Sequence, residues 1–449
     1  MISTHSNPNQ FRDLFAGYVQ NQGGLAMVRK GATTGMAFGL NEGETSSTAI
    51  ARYRRTDNSQ IVPQYEFQNR LRPMFGKGKS QPPSIGDHPD FAHLKGTNQE
   101  EFCAVTTLFM DMEGSTRLNL LYPPSDVARI KNAFIQMAIE VVKAFDGHVH
   151  RIMGDAVMAY FGGTNARAES SAIDAINCAA VLQALVRESV IPYLENEGFG
   201  NEFGIRIGVD YGTEDRVLWR SYGYPGIDEV TATSFHVDVA SKLQHAAGRH
   251  EVVIGGSLRK LLDFPEQLLA IKTVIRNGVT ESRPYLRPNL TDENGRPINY
   301  PQHVLVWDKY LEFSPFGATK RLSPTLDILK VTATIHTTRE GAFEGIYIPG
   351  GTLGGKLKSV CFKIAKLPFL PQLPYVVKCI VENHGEEARL SGKDFGNHEK
   401  VYEVLTQGQH QDIDHWEDLA YRGLHYLTVE IRRKGGDLIA RRKFGVYVE

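Results

Sequence analysis

The sequence predicts two folded units of different class: an α+β unit over residues 101–312 and a β-sandwich-like unit over 324–449. Three observations carry this reading. In the first unit, two long amphipathic helical stretches alternate with short apolar strands. After Pro324 the periodicity becomes that of strands with few helices. Gly435-Gly436-Asp437 then marks a tight hairpin between the last two strands. A chain of 449 residues is long enough for two or three domains with cores of their own.

Residues 1–100 are weakly patterned and read as an irregular N-terminal arm. Phe11 to Val19 fits a short helix, Gly31 to Thr56 is rich in Gly, Ser and Thr, and Pro82-Pro83 and Asp87-His88-Pro89 punctuate the approach to the first strong strand. Cys103 to Asp111 reads as a buried strand. A helix starts at Ser125-Asp126, carries Val127, Ile130, Phe134, Met137, Val141 and Phe145 at helical spacing, and ends at Gly147. His148 to Met153 and Ala156 to Phe161 form a hairpin through Gly154-Asp155. A second long helix is expected over Ser170 to Leu194. Strands are expected at Gly204 to Tyr211 and Arg216 to Tyr222, then a helix from Thr233 to Ala247 and strands at Glu251 to Gly255 and His303 to Asp308. Pro284 to Pro301 is a Pro/Asn-rich insertion. Beyond Pro324, strands fall at Asp327 to Ile335, Tyr375 to Val381, Leu424 to Ile431 and Leu438 to Val448.

Composition narrows the function classes. Lys+Arg 50 against Asp+Glu 51 leaves a net charge of −1, which offers no general field for gripping nucleic acid. The first residues, Met-Ile-Ser-Thr-His-Ser-Asn-Pro, have no signal-peptide pattern. No apolar run approaches the ~18 residues of a membrane span. Cys103, Cys178, Cys361 and Cys379 lie far apart without metal-ligand spacing, and read as small buried hydrophobes. A soluble, reduced, cytoplasmic protein is expected.

The chemistry is concentrated in Phe109-Met110-Asp111-Met112-Glu113-Gly114-Ser115-Thr116. A carboxylate ends an apolar strand, a glycine turn and two hydroxyls follow, and a helix begins. Backbone N–H groups at such a helix start can hold phosphate oxygens. A carboxylate in that position also costs burial energy unless it is paired. Asp155, in the tight turn of the hairpin, supplies a second. Alone it would be an ordinary turn former. Together the two aspartates suit two divalent ions ~3.5–4 Å apart acting on a nucleoside triphosphate.

Three motifs then carry a resemblance. Phe109-x-Asp111-x-x-Gly114-Ser115-Thr116, the Gly154-Asp155 hairpin and Val237-Asp238-Val239-Ala240-Ser241-Lys242 resemble, in order and approximate spacing, the catalytic domain of class III nucleotidyl cyclases over 101–312. The resemblance implies a ferredoxin-like βαββαβ core working as a head-to-tail homodimer with active sites at the interface. It implies that Asp111, the Met112 carbonyl and Asp155 hold two Mg²⁺ or Mn²⁺ ions, and that Phe109, Gly114, Ser115 and Thr116 line the nucleotide. The implied reaction is attack of the ribose 3′-hydroxyl on the α-phosphate, giving a 3′,5′-cyclic nucleotide and pyrophosphate.

The departures bear on the base. Four residues before the second metal aspartate, where adenylate cyclases typically have Lys and guanylate cyclases Glu, stands Arg151; the other base-selecting position aligns with Thr231. Asp238 and Lys242 replace the usual Asn and Arg of the transition-state helix, at i, i+4 spacing on one face. Arg151 offers a fixed fork of donors and no acceptor, which suits a carbonyl-bearing base edge. Lys242 keeps a positive charge without bidentate geometry. Asp238 cannot donate as Asn would; it is placed to accept a ribose hydroxyl proton or to pair with Lys242.

These substitutions resemble the pyrimidine cyclases of bacterial Pycsar anti-phage systems, and residues from 324 resemble the sensor domain that follows cyclases in defence operons (AGS-C-like). The resemblance implies UTP or CTP as substrate, with UTP preferred because uracil has two carbonyls for an arginine, and a separate effector activated by the cyclic product. An atypical adenylate or guanylate cyclase, and a catalytically inactive nucleotide-sensing module, are the competing readings. Arg432-Arg433-Lys434 and Arg441-Arg442-Lys443 read as exposed hairpin charge that blocks edge pairing.

Overall fold

A computed structural model describes residues 8–24, 65–200, 203–286, 291–318, 328–351 and 353–449. The first unit is organised by eight strands: β1 (Val105–Glu113), β2 (His148–Met153), β3 (Ala156–Phe161), β4 (Gly204–Gly212), β5 (Leu218–Tyr224), β6 (Ile227–Thr233), β7 (Val252–Gly255) and β8 (Tyr300–Leu305). The main sheet runs β8-β7-β4-β1-β3-β2, with Tyr285–Leu286 beyond β8. Only β4 and β7 are parallel among these neighbours. Its centre, β4-β1-β3-β2, is the expected βαββαβ arrangement. β5 and β6 form a separate antiparallel hairpin, with Glu100–Phe102 on the far side of β5.

The helices are α1 (Pro8–Asn21), α2 (Glu66–Met74), α3 (Ser115–Leu121), α4 (Pro124–Ala144), α5 (Ala168–Leu185), α6 (Phe235–Ala246) and α7 (Gly256–Leu262). The long helix expected to end at Leu194 instead passes from α5 through a π turn at Val186–Val190 into a last helix, Ile191–Asn196. Alternation along β1 sends Leu108, Met110 and Met112 into the large core, while Phe109, Asp111 and Glu113 sit half-buried on the other face. Those three residues define the working side of the sheet.

The N-terminal segment expected to be irregular contributes two α-helices, and a 3₁₀ turn at Pro89–Leu94, among its described residues. Phe11, Phe15 and Val19 recur at i, i+4, i+8 and join the same core as Phe67, Leu71 and α4. Glu140 of α4 accepts from the N–H groups of Phe67 (2.9 Å) and Gln68 (3.3 Å), satisfying the open start of α2. The Gly31 to Thr56 stretch lies outside the described residues. The strand expected at His303 to Asp308 is β8, three residues earlier, and Trp307–Leu311 is helical.

The second unit is the expected sandwich. Strands β9 (Val331–His336), β10 (Phe343–Tyr347), β11 (Ser359–Ile364), β12 (Tyr375–Glu382), β13 (His398–Val404), β14 (Ile413–Asp418), β15 (Gly423–Arg433) and β16 (Leu438–Val448) form two four-stranded sheets, β10-β9-β11-β14 and β13-β12-β15-β16. Val360 and Phe362 of one sheet share a core with Cys379, Val429 and Phe444 of the other. The sandwich also enters the first unit's core through Leu424, Tyr426 and Tyr447. Tyr426 stacks on Phe313 with ring centroids 3.7 Å apart at 14°. Asn177 of α5 donates to the Gly350 carbonyl (2.7 Å) and accepts from the Tyr310 hydroxyl (2.8 Å).

Candidate active site

Asp111 faces its register partner on β4, Arg206. Arg206 donates to Asp111 Oδ2 from Nε and Nη2, and Gln244 Nε2 on α6 lies 3.4 Å from the same oxygen. Asp155 sits at the β2–β3 turn, where Gly154 takes φ +69°. The register pairs Met110 with Val157 and Met153 with Ala156, so Asp111 and Asp155 stand at the same end of neighbouring strands. Lys131 Nζ of α4 is 3.6 Å from Asp155 Oδ2, a buried oxygen that accepts no hydrogen bond. Glu113 Oε2, two residues beyond Asp111 on the same face, is likewise buried without a hydrogen-bond partner.

A buried carboxylate oxygen lacking a donor is costly unless a cation meets it. Hard carboxylate oxygens are the donors that magnesium or manganese prefers. Among the described residues no group of three or more His, Cys, Asp or Glu forms a closed cation cage. The donor set fits the divalent ions expected from the sequence.

The other predicted residues fall around these two carboxylates or on a second cluster. Gly114 takes φ +87° to turn the chain from β1 into α3, Ser115 is buried in the first turn, and Thr116 is exposed. The Met112 side chain is buried in the core and the residue pairs with Ile205. Phe109 packs against a second apolar cluster built on Tyr160, Trp219 and Phe91. Phe91 stacks on Trp219 at 4.1 Å, and Trp219 meets Tyr160 edge-on at 4.9 Å.

Thr231 reaches this cluster, and Arg151 pairs in register with its Met158. The Thr231 hydroxyl is 3.0 Å from the Tyr160 hydroxyl, which also accepts from the Ala232 N–H at 3.4 Å. A bulge interrupts the β2 register between Val149 and Arg151. Arg151 Nε donates to Glu229 Oε2 of β6 at 3.0 Å, and its Nη2 also meets Glu229 Oε1. Burial raises the Tyr160 pKa; Arg151 opposes that shift and Asp238 adds to it, so both charges lie within electrostatic reach of this hydroxyl.

Asp238 and Lys242 stand exposed one turn apart on α6. The helix begins at Ser234, whose Oγ accepts from the His236 N–H at 3.2 Å. It lies directly on β4: a Cβ at Gly208 would meet Gln244 N at 2.2 Å and Ala240 O at 2.3 Å. Its first turn is held by Asp210, fully buried at the end of β4. Asp210 Oδ2 is 2.9 Å from His236 Nδ1 and accepts from the Tyr300 hydroxyl at 2.7 Å.

Sequence reasoning missed Arg206, Gln244, Glu113 and Glu229. Glu113 had a visible signal, being two residues beyond Asp111 on a strand. The others depend on pairings across 78 to 133 residues of chain, which no local pattern encodes.

Comparisons with known proteins give the family. Residues 97–277 match the family model "Adenylate and Guanylate cyclase catalytic domain", and residues 308–449 match "Adenylyl/Guanylyl and SMODS C-terminal sensor domain". A cytidylate cyclase of Staphylococcus aureus is 34% identical over 410 residues, covering 90% of this chain and 92% of that protein. One from Escherichia coli is 31% identical over 441 residues, covering 95% and 94%. A second from Escherichia coli is 42% identical over 287 residues, covering 62% and 59%. The chain belongs to this two-domain cyclase family. It is a nucleotidyl cyclase with a nucleotide substrate, and class III cyclases generally use divalent metal ions. Among the cyclase's described residues, no helix is long and apolar enough to cross a membrane.

Proposed function

We propose that the cyclase converts CTP to 3′,5′-cyclic CMP and pyrophosphate. The observation that carries this choice of pyrimidine is the match along nearly the whole chain to proteins named cytidylate cyclase. Proteins named uridylate cyclase, from Burkholderia cepacia and Gulbenkiania mobilis, are 24% and 28% identical over only 42% and 35% of this chain.

In this reading the 3′ oxygen bonds to the α-phosphorus while the bond to the bridging oxygen breaks, and pyrophosphate leaves with the electron pair. Asp111 and Asp155, with the Met112 carbonyl, would hold two Mg²⁺ or Mn²⁺ ions, which would supply acidification of the attacking hydroxyl and charge to neutralise the phosphates. Gly114, Ser115 and Thr116 line the phosphates, and Phe109, Arg151 and Thr231 line the base. Asp238 accepts the ribose hydroxyl proton, and Lys242 brings positive charge to the crowded α-phosphate. Two copies complete each other's sites as a homodimer.

The proposed division is a catalytic domain over 101–312 and a sensor domain over 324–449. The proposed setting is the cytoplasm of a bacterium, with the cyclic product activating a separate effector in an anti-phage system.

The test is incubation of the purified full chain with Mn²⁺ and equal amounts of ATP, GTP, CTP and UTP, followed by mass spectrometry. Cyclic CMP as the main product is expected. Predominant cyclic AMP or cyclic GMP overturns the pyrimidine reading, and no cyclic product returns the chain to a nucleotide-binding role.

A further inference from the structure

We propose that Glu229 is a specificity-determining residue that recognises the exocyclic amino group of cytosine, acting beside Arg151. The inference rests on the pyrimidine-cyclase reading and deepens it. Arg151 alone presents donors only, and so serves carbonyls and ring nitrogens but not an amino group. The cytosine edge is a donor at N4 followed by acceptors at N3 and O2. Reading it needs an acceptor next to a pair of donors. Glu229 is that acceptor, fixed 3.0 Å from Arg151 Nε.

The placement is built by the fold. β6 alternates, so Glu229 and Thr231 leave the strand on one face, and Thr231 meets Tyr160 of the aromatic cluster. Between them, the Val230 N–H donates to Asp87 Oδ1 at 2.8 Å, pinning the strand from outside the sheet. Arg151 and Glu229 keep 41% and 40% of their side-chain surface open, so a base can reach both. Tyr160 and Trp219 are buried.

Discrimination against uracil follows from repulsion. Uracil places a carbonyl oxygen where cytosine has its amino group, opposing lone pairs on a carboxylate that cannot donate. A site built around a buried or half-buried acceptor rejects the ligand lacking the matching donor more strongly than a shape change would.

The experiment compares kcat/KM for CTP, UTP and GTP in wild type, Glu229→Gln and Glu229→Asp, with melting temperature as a check on folding. Gln keeps the shape but can donate to the uracil carbonyl; Asp keeps the carboxylate. Glu229→Gln is expected to lower the CTP/UTP ratio by about 10- to 100-fold, mainly by loss on CTP, while Glu229→Asp retains the preference for CTP at a reduced rate. An equal fall on all nucleotides in Glu229→Gln would mean that Glu229 only holds Arg151, and an unchanged ratio would make the pair an ordinary surface ion pair. Either result overturns the inference. A shift of Glu229→Gln from CTP to GTP also overturns it, since guanine too has an acceptor beside donors. If wild type itself forms no cyclic CMP, the function reading fails instead, so the two failures are distinguishable.

Discussion

Arg206 donates two hydrogen bonds to one carboxylate oxygen of Asp111, from Nε at 2.9 Å and from Nη2 at 2.6 Å. A guanidinium fork in this geometry fixes the carboxylate against rotation. The contacts to Asp111, including the one from Gln244, converge on Oδ2. Groups that hold a metal ligand in place tune the affinity of the site even though they never touch the ion.

Replacing Arg206 by Ala is therefore expected to raise the Mn²⁺ concentration needed for half-maximal activity by about 10- to 100-fold. Titration of the metal at saturating nucleotide measures it. Tighter metal dependence in the variant would instead mean that Arg206 competes with the ion for Asp111.

Asp155 Oδ2 is buried with no hydrogen bond, and Lys131 Nζ stands 3.6 Å from it. Such an oxygen serves function at a cost in stability. Asp155→Asn should abolish cyclic nucleotide formation while leaving the metal-free melting temperature no lower than wild type. Residual turnover near the wild-type rate would remove Asp155 from the metal site.

Phe313 joins the two units by stacking on Tyr426, with Lys443 Nζ 5.2 Å from its ring. Removing a buried aromatic ring of this kind costs about 3–5 kcal/mol. Phe313→Ala should lower the urea midpoint correspondingly and broaden or split the unfolding transition. A single transition at an unchanged midpoint would show that the junction contributes nothing to the shared core.

His88 and His425 set a pH dependence. Burial lowers the pKa of each to about 4. His425 is held neutral by its bonds, with Nδ1 accepting from the His384 N–H at 3.2 Å and Nε2 donating to the Tyr421 carbonyl at 2.6 Å. The unfolded chain takes up these protons near the ordinary histidine pKa of about 6.5, before the folded state does. Stability from these two groups is thus complete above that value and declines as pH falls towards 4. Glu140 and Asp174, whose pKa values burial raises to about 7, act in the opposite direction, so the check is a comparison: between pH 7.5 and 5 the urea midpoint should fall further, or rise less, in wild type than in His425→Gln.

The sequence made the core of the first unit readable because α4 is long and amphipathic, and because β1 ends in a carboxylate that nothing local explains. Asp111 stands out as a candidate for that reason, and Asp155 by its place in the tight turn beside it. The partners that set their electrostatics do not. Arg206 lies opposite Asp111 only because β4 docks on β1, and Lys131 reaches Asp155 only through the packing of α4. Glu229 stayed hidden because the β6 strand was not foreseen: Pro225-Gly226 splits a hairpin whose second half reads as mixed polar residues. Of the N-terminal helices, α1 was expected at Phe11 to Val19, but α2 was missed because a short apolar stripe gains most of its stability from tertiary contact.

Leu424, Tyr426 and Tyr447 lie in the same apolar body as α1, α4 and α5. The sandwich is geared to the sheet rather than strung from it. Closely packed side chains pass on a displacement of a methyl's width instead of absorbing it. A mutation that loosened this junction would uncover apolar surface on both units at once, so the sheet and the sandwich would lose stability together.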